Sequence, residues 1–162
     1  MGVAGSGKTT LGAKVAERMG WPMIEGDDFH SGENKAKMHA GVPLADADRL
    51  AWLRILAREL QQRPEGAVLT CSALKRSYRD LLRAGSPGLA FVFLEIAQEE
   101  ALRRVRARGQ HFFPPQLTHS QFETLEVPVN EPRVLRLDAE LPLESQVDRT
   151  VAWLTANTGP LV

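Results

Sequence analysis

The sequence predicts an α/β fold in which a parallel sheet carries helices on both faces. Three observations point to it. Short apolar runs alternate with longer amphipathic stretches along the 162 residues, the pattern of strand–helix–strand units. Phe91-Val92-Phe93-Leu94 is apolar without a break, as expected of a strand covered on both sides. Gly2-Val3-Ala4-Gly5-Ser6-Gly7-Lys8-Thr9 fits the spacing G-x-x-x-x-G-K-[ST] and runs directly into a helical pattern, the setting of a loop that cradles phosphate.

The elements follow in order. Thr10–Met19 reads as a helix, with Leu11, Val15 and Met19 on one face. Pro22–Glu25 reads as a short buried strand, followed by the polar stretch Gly26–Ser31. Residues 34–40 form a short helix ended by Gly41. Asp46 is the expected N-cap of a helix over Ala47–Gln62, with Leu50, Leu53, Leu56, Ala57 and Leu60 as its apolar stripe. Pro64 and Gly66 break the chain before a strand at Ala67–Cys71 and a helix at Ser72–Arg83. Pro87 and Gly88 precede the strand Ala90–Ile96 and the charged helix Gln98–Arg108. The stretch Gly109–Pro115 leads to a helix at Thr118–Glu126, a last strand at Val134–Leu137 and a last helix at Leu143–Asn157. In open parallel sheets the site lies beyond the carboxyl ends of the strands. Segments 26–31, 71–76, 97–98 and 138–142 are therefore candidate walls of a site.

Bulk properties fit one domain over residues 1–162, large enough for a real core. Acidic and basic residues number 20 each, so no net field favours nucleic acid or an anionic membrane. No apolar run approaches a membrane span, and the polar, Gly-rich start is unlike a signal peptide. A lone cysteine, Cys71, forms no internal disulfide, which suits a reducing cytoplasm.

The glycine-rich segment carries the clearest chemistry. Gly2, Gly5 and Gly7 let consecutive N–H groups, those of Ser6 included, point inward at an anion. The helix beginning near Thr10 adds the positive end of its dipole. Lys8 can reach the β- and γ-phosphates of a nucleoside triphosphate, and the Thr9 hydroxyl can ligate Mg²⁺. Such a loop should follow a buried central strand, whereas only Met1 precedes it. The expectation is therefore a missing or truncated strand, a destabilised chain, and an upstream reading frame encoding Val, Ile or Leu.

Further blocks narrow the class. They are Gly26-Asp27-Asp28-Phe29-His30, with Asn34, Lys37 and Met38, then Gly41–Arg49 with Trp52-Leu53. Cys71-Ser72-Ala73-Leu74-Lys75 with Tyr78-Arg79-Asp80 follows, then His111-Phe112-Phe113 and Ser120–Glu126. In this order, over nearly the whole chain, they resemble the gluconokinase family of small P-loop kinases, related in fold to shikimate kinase. The resemblance implies a three-layer P-loop sandwich with a lid at about 104–120, ATP and Mg²⁺ as cofactors, and D-gluconate as substrate. The product would be 6-phospho-D-gluconate, and the resemblance suggests a homodimer. The alternatives are another small-molecule or nucleotide kinase of this fold, or a truncated nucleotide-binding chain without catalysis.

Residue roles follow from position and resemblance together. Asp27, just past the second strand, is the expected group that orients or deprotonates the acceptor hydroxyl, with Lys8 as its catalytic partner on the phosphates. Arg49 is expected to grip the carboxylate of the acid substrate, since a guanidinium matches it bidentately. His30, Ser72, Lys75 and His111 are further expected substrate contacts, and Arg104 and Arg108 are expected to close over ATP from the lid. Thr10 completes the nucleotide set and Thr9 is the metal ligand. Glu25 stands where many relatives carry aspartate, one methylene longer in reach. Gln121 and Glu123 carry no role at this stage.

Overall fold

The computed structural model describes residues 1–108 and 114–157. Twelve elements succeed one another much as the pattern predicts. They are α1 (Lys8–Met19), β1 (Met23–Glu25), a 3-10 turn (Gly26–Phe29), α2 (Gly32–His39), α3 (Asp46–Gln61) and β2 (Val68–Thr70). Then come α4 (Arg76–Gly85), β3 (Phe91–Glu95), α5 (Gln98–Ala107), α6 (Pro115–Thr124), β4 (Val134–Asp138) and α7 (Leu143–Asn157).

Alternate strand residues face opposite helical layers. Phe91 packs with Trp52, Leu53, Leu56 and Leu82 of α3 and α4. Its neighbours Val92 and Leu94 pack with Leu11 and Val15 of α1 and Val147 of α7. Helices thus cover both faces, as the unbroken apolar run of β3 predicted.

Three departures from the expected boundaries have an identifiable cause. The N-cap of α3 is Ala45, whose N–H donates to Asp48 Oδ2 at 2.9 Å. Asp46 instead accepts from Lys75 and Tyr78. Helix α4 begins at Arg76 because Ala73 adopts φ 45°, so residues 72–75 form a loop. Helix α6 begins at Pro115, since a proline at the first helical position needs no amide partner.

The sheet also departs from a single continuous ladder. Strands β1–β2 and β3–β4 form two parallel pairs. Between β2 and β3, among the described residues, Met1 and Gly2 bridge the gap by backbone hydrogen bonds. The Met1 amine donates to Val92 O at 2.6 Å, Leu94 N–H to Met1 O at 3.0 Å, and Gly2 N–H to Ser72 O at 3.2 Å. Burial, helped by the Lys8 charge, pulls the Met1 amine down to about 5. Behind these residues lies an apolar slot of about 570 Å³, walled by Leu11, Val15, Leu69, Leu82 and Val92.

At the opposite side of α4, Arg79 is wholly buried. It donates to Ala73 O, Leu74 O and Glu126 O at 2.8–2.9 Å and to both oxygens of Glu131. Arg83 adds a second cation on Glu131 at 2.8 Å. The Arg79 hydrogen bond, against the opposing effect of burial, pulls the Glu131 carboxyl down to about 2.

Two predictions follow from these packing features. Four or five Val or Ile residues placed ahead of Met1 will pair with the slot-facing edges of β2 and β3. At about 1 kcal/mol per hydrogen bond and about 2–4 °C per kcal/mol, Tm rises by several degrees. A Ser/Gly extension of equal length, measured alongside by calorimetry, gives no such gain. The second concerns Glu131, which takes its proton near 4.5 in the unfolded chain and near 2 in the fold. Its contribution is complete above pH 4.5 and is lost as the pH falls towards 2. Glu131→Gln will therefore cost about 3 kcal/mol at neutral pH and flatten the acid limb of urea stability between those values.

Candidate active site

The phosphate loop is built by backbone conformation. Gly5 has φ 82°, and a Cβ there would stand 2.6 Å from Ala101 O. No other residue brings the loop this close to α5. Gly7, at φ 94°, turns the chain into α1, so the helix N-terminus faces the loop's concavity. Lys8 Nζ folds back to donate to Val3 O at 2.9 Å. Burial lowers the pKa of Lys8, opposed by the nearby Asp27 and Glu25 carboxylates.

Strand β1 delivers the next groups. Glu25 Oε2 accepts from the Thr9 hydroxyl at 2.8 Å, and its other oxygen accepts from the Thr70 hydroxyl at 2.5 Å. The extra methylene relative to aspartate spans from the end of β1 to the first turn of α1. Gly26 follows, so close to β2 that a Cβ would meet Thr70 O at 2.3 Å. The Trp52 indole N–H donates to Gly26 O at 2.7 Å, which holds the 3-10 turn that presents Asp27.

His30 stacks on Trp52 with ring centroids 4.2 Å apart. Burial, with the Lys35 and Arg49 charges adding to it, pushes its pKa down to about 4. The imidazole is therefore neutral, and its 3.9 Å approach to Asp27 Oδ1 is no ion pair. Arg49 rises from α3, with its guanidinium 5.8 Å from the Tyr78 ring centre and 3.4 Å from the Tyr78 hydroxyl.

These groups share one cleft of about 410 Å³ beyond the carboxyl ends of β1 and β2. Of the expected residues, Gly5, Gly7, Lys8, Thr9, Asp27, His30, Arg49, Ser72 and Arg108 line it. Gly2 and Ser6 are buried within the loop's structure, and Thr10 is exposed on α1. Lys75 does not line the cleft. It pairs with both oxygens of Asp46, at 2.9 and 3.1 Å. Arg104 is likewise engaged elsewhere, with Glu100 at 2.7 Å and with Ala139 O at 3.1 Å. His111 lies outside the described residues, as do residues 109–113 of the expected lid.

Two polar cleft residues had no role assigned from sequence. Gln121 accepts from the Ala4 N–H of the phosphate loop at 2.6 Å. Lys35 adds a cation on the acceptor side. Gln121 carried a signal only in its block, and Lys35 sits in a helix whose polar residues look like a solvated face.

A phosphate loop at a helix N-terminus, its lysine, and an acceptor cleft alongside define a P-loop kinase. Comparison with known proteins narrows the class. A family model described as an AAA domain matches residues 1–129. The thermosensitive gluconokinase of Escherichia coli K12 is 45% identical over 142 residues, covering 85% of this chain and 76% of the relative. The gluconokinase of Gluconobacter oxydans is 46% identical over 143 residues, covering 86% and 80%. The crystal structure of a gluconokinase from Sinorhizobium meliloti superposes with a TM-score of 0.89 at 46% identity, covering 96% of this chain and 89% of that one. The chain belongs to the gluconokinase family. An APS kinase of Mycobacterium tuberculosis, at 20% identity and TM-score 0.64, shares the fold.

The state of His30 is measurable. Its ring takes a proton near 6.5 when unfolded and near 4 in the fold. Stability from the neutral ring is complete above pH 6.5 and is lost as the pH falls through that window. NMR titration of the ring nitrogens will give a midpoint well below 6.5, and His30→Asn will reduce the fall in urea midpoint between pH 6.5 and 4.

Proposed function

We propose that this chain transfers the γ-phosphoryl group of ATP to D-gluconate, giving ADP and 6-phospho-D-gluconate. The observation that carries the reading is a single cleft with the phosphate loop on one wall and Asp27, His30 and Arg49 on the other. Phosphoryl transfer asks the protein mainly for alignment and charge neutralisation. Lys8 serves the β- and γ-phosphates. Asp27 accepts the proton of the acceptor hydroxyl, and the neutral His30 beside it offers a hydrogen bond without competing charge. Arg49 pairs with the gluconate carboxylate, and Ser72 contacts a substrate hydroxyl. Arg108 closes on the nucleotide from the end of α5.

The Thr9 hydroxyl and the Glu25 carboxylate, already 2.8 Å apart, are hard oxygen donors of the kind Mg²⁺ prefers. Thr9 and Glu25 are the residues that would hold the ion. The ion would supply neutralisation of the phosphate charge. Lys75 and Arg104, now paired with Asp46 and Glu100, would join by exchanging those partners for the ligands, and His111 is a further proposed substrate contact. We further read residues 1–162 as one kinase domain, working as a homodimer in the cytoplasm. Among the described residues no helix is long and apolar enough to cross a membrane.

A coupled assay for 6-phosphogluconate, with shikimate and nucleoside monophosphates as alternative acceptors, tests the reading. Turnover with gluconate alone is the expected result, and turnover only with another acceptor overturns it. Asp27→Asn will lower kcat by roughly 10²–10⁴-fold with little change in the gluconate KM. Arg49→Met will raise the gluconate KM about tenfold or more, the loss of a charge-assisted pair, and leave the ATP KM nearly unchanged.

A further inference from the structure

Gln121 stands on α6, in the segment that follows the lid, yet its side chain reaches the phosphate loop. Its Oε1 accepts from the Ala4 N–H at 2.6 Å. A backbone N–H can only face the amide oxygen, so this bond fixes which end of the amide is which. The Nε2 end, with two N–H donors, has no partner among the described residues, while Gln121 lines the cleft beside Ala4, Gly5 and Arg108. The peptide unit it grips is shared. Lys8 Nζ donates to the Val3 carbonyl, and Gln121 accepts from the Ala4 N–H of the same peptide. One plane of the loop is therefore held from both edges by side chains that open into the same cleft.

We propose that Gln121 is a ligand-binding residue whose Nε2–H donates to an oxygen of the terminal phosphoryl group of the nucleotide. Gln121 lines the same cleft as Lys8 and Arg108, so an anionic oxygen is the partner whose charge this setting favours. A neutral amide suits that task better than a third cation. It donates without holding the phosphoryl group so tightly that transfer slows, because its bond follows the oxygen as charge shifts. The contact on Ala4 is then a positioning device that aims the donor.

The inference rests on the ATP reading for the nucleotide but not on gluconate as acceptor, so its test is made without acceptor. Calorimetry gives Kd for a non-hydrolysable ATP analogue and for ADP, each with Mg²⁺, on the wild type, Gln121→Leu and Gln121→Glu. Thermal midpoints confirm that both variants fold. Gln121→Leu is expected to weaken the triphosphate analogue about tenfold or more, one hydrogen bond to a charged group, and to leave ADP within about twofold. Gln121→Glu keeps an acceptor for Ala4 but has no donor and adds a negative charge. It is expected to lose triphosphate affinity at least as strongly. Wild-type behaviour of Gln121→Glu overturns the proposal in favour of a pure loop brace. Equal losses for ADP and the analogue overturn it in favour of loop distortion. Unchanged analogue affinity in Gln121→Leu overturns it outright. Absence of gluconate turnover in the wild type bears on the substrate and leaves these binding ratios to decide the role of Gln121.

Discussion

One buried guanidinium ties together the loop after β2, the chain beyond α6 and the start of α4. Arg79 donates to two consecutive carbonyls of the loop after β2, to the carbonyl of Glu126 just past α6, and to Glu131. Ala73, in the loop, sits at φ 45°, a conformation unfavourable for a side chain with a Cβ. The fork of donors compensates by satisfying carbonyls that a strand or helix would otherwise have paired. Glu126 completes the clamp. Its N–H donates to Leu74 O at 2.9 Å, and its carboxylate accepts from Arg76 N–H at the start of α4 at 2.7 Å. Ser72, the end of α6 and therefore Gln121 are all held relative to one buried charge pair. Removing Glu131 would leave the buried guanidinium without its counter-charge, a loss of about 3–5 kcal/mol, whereas removing Arg79 would leave Glu131 paired with Arg83.

A second chain of contacts holds the phosphate side. Thr70 at the end of β2 and Thr9 at the start of α1 share the Glu25 carboxylate, while Trp52 fixes Gly26 from α3 and stacks on His30. Each bond ties a strand end to a helix on a different layer. The geometry of Asp27 thus depends on packing that is complete in the hydrophobic core, at Trp52 and Leu56, and not on the exposed turn itself. This is how an exposed carboxylate can be positioned accurately. Its backbone is pinned by buried neighbours even though its own side chain faces solvent.

How much of this was legible in the sequence follows from the range of the interactions. The strand β3, the stripe of α3 and the phosphate loop are local patterns, and each stands within a residue or two of its expected place. One cap failed because a side chain found distant partners. Asp46 reads as an N-cap from its neighbours, but Lys75 and Tyr78 reach it across 29 and 32 residues. Arg79 reads as one more charge on an amphipathic helix, and only the fold brings Glu131, 52 residues on, beneath it. The same reason separates Lys75 from the cleft and brings Gln121 to the loop, 117 residues from Ala4. Spacing says which side chains share a helix face. It does not say which strand end that face will meet.

Net charge shows the same gap between global and local description. The whole chain balances 20 acidic against 20 basic residues, which argues against a polyanionic partner of any size. The cleft does not balance. Among the described residues Lys8, Lys35, Arg49 and Arg108 line it against the carboxylates of Glu25 and Asp27, and burial lowers the pKa of His30 to about 4. Glu25 is further committed to two hydroxyls. A small, highly charged ligand therefore meets a positive site within a molecule whose charges sum to zero. With a Debye length of about 8 Å at physiological ionic strength, that local excess acts only on what enters the cleft. Selectivity for a phosphorylated nucleotide and an acid substrate is in this way built from placement of charge, with the total left at zero.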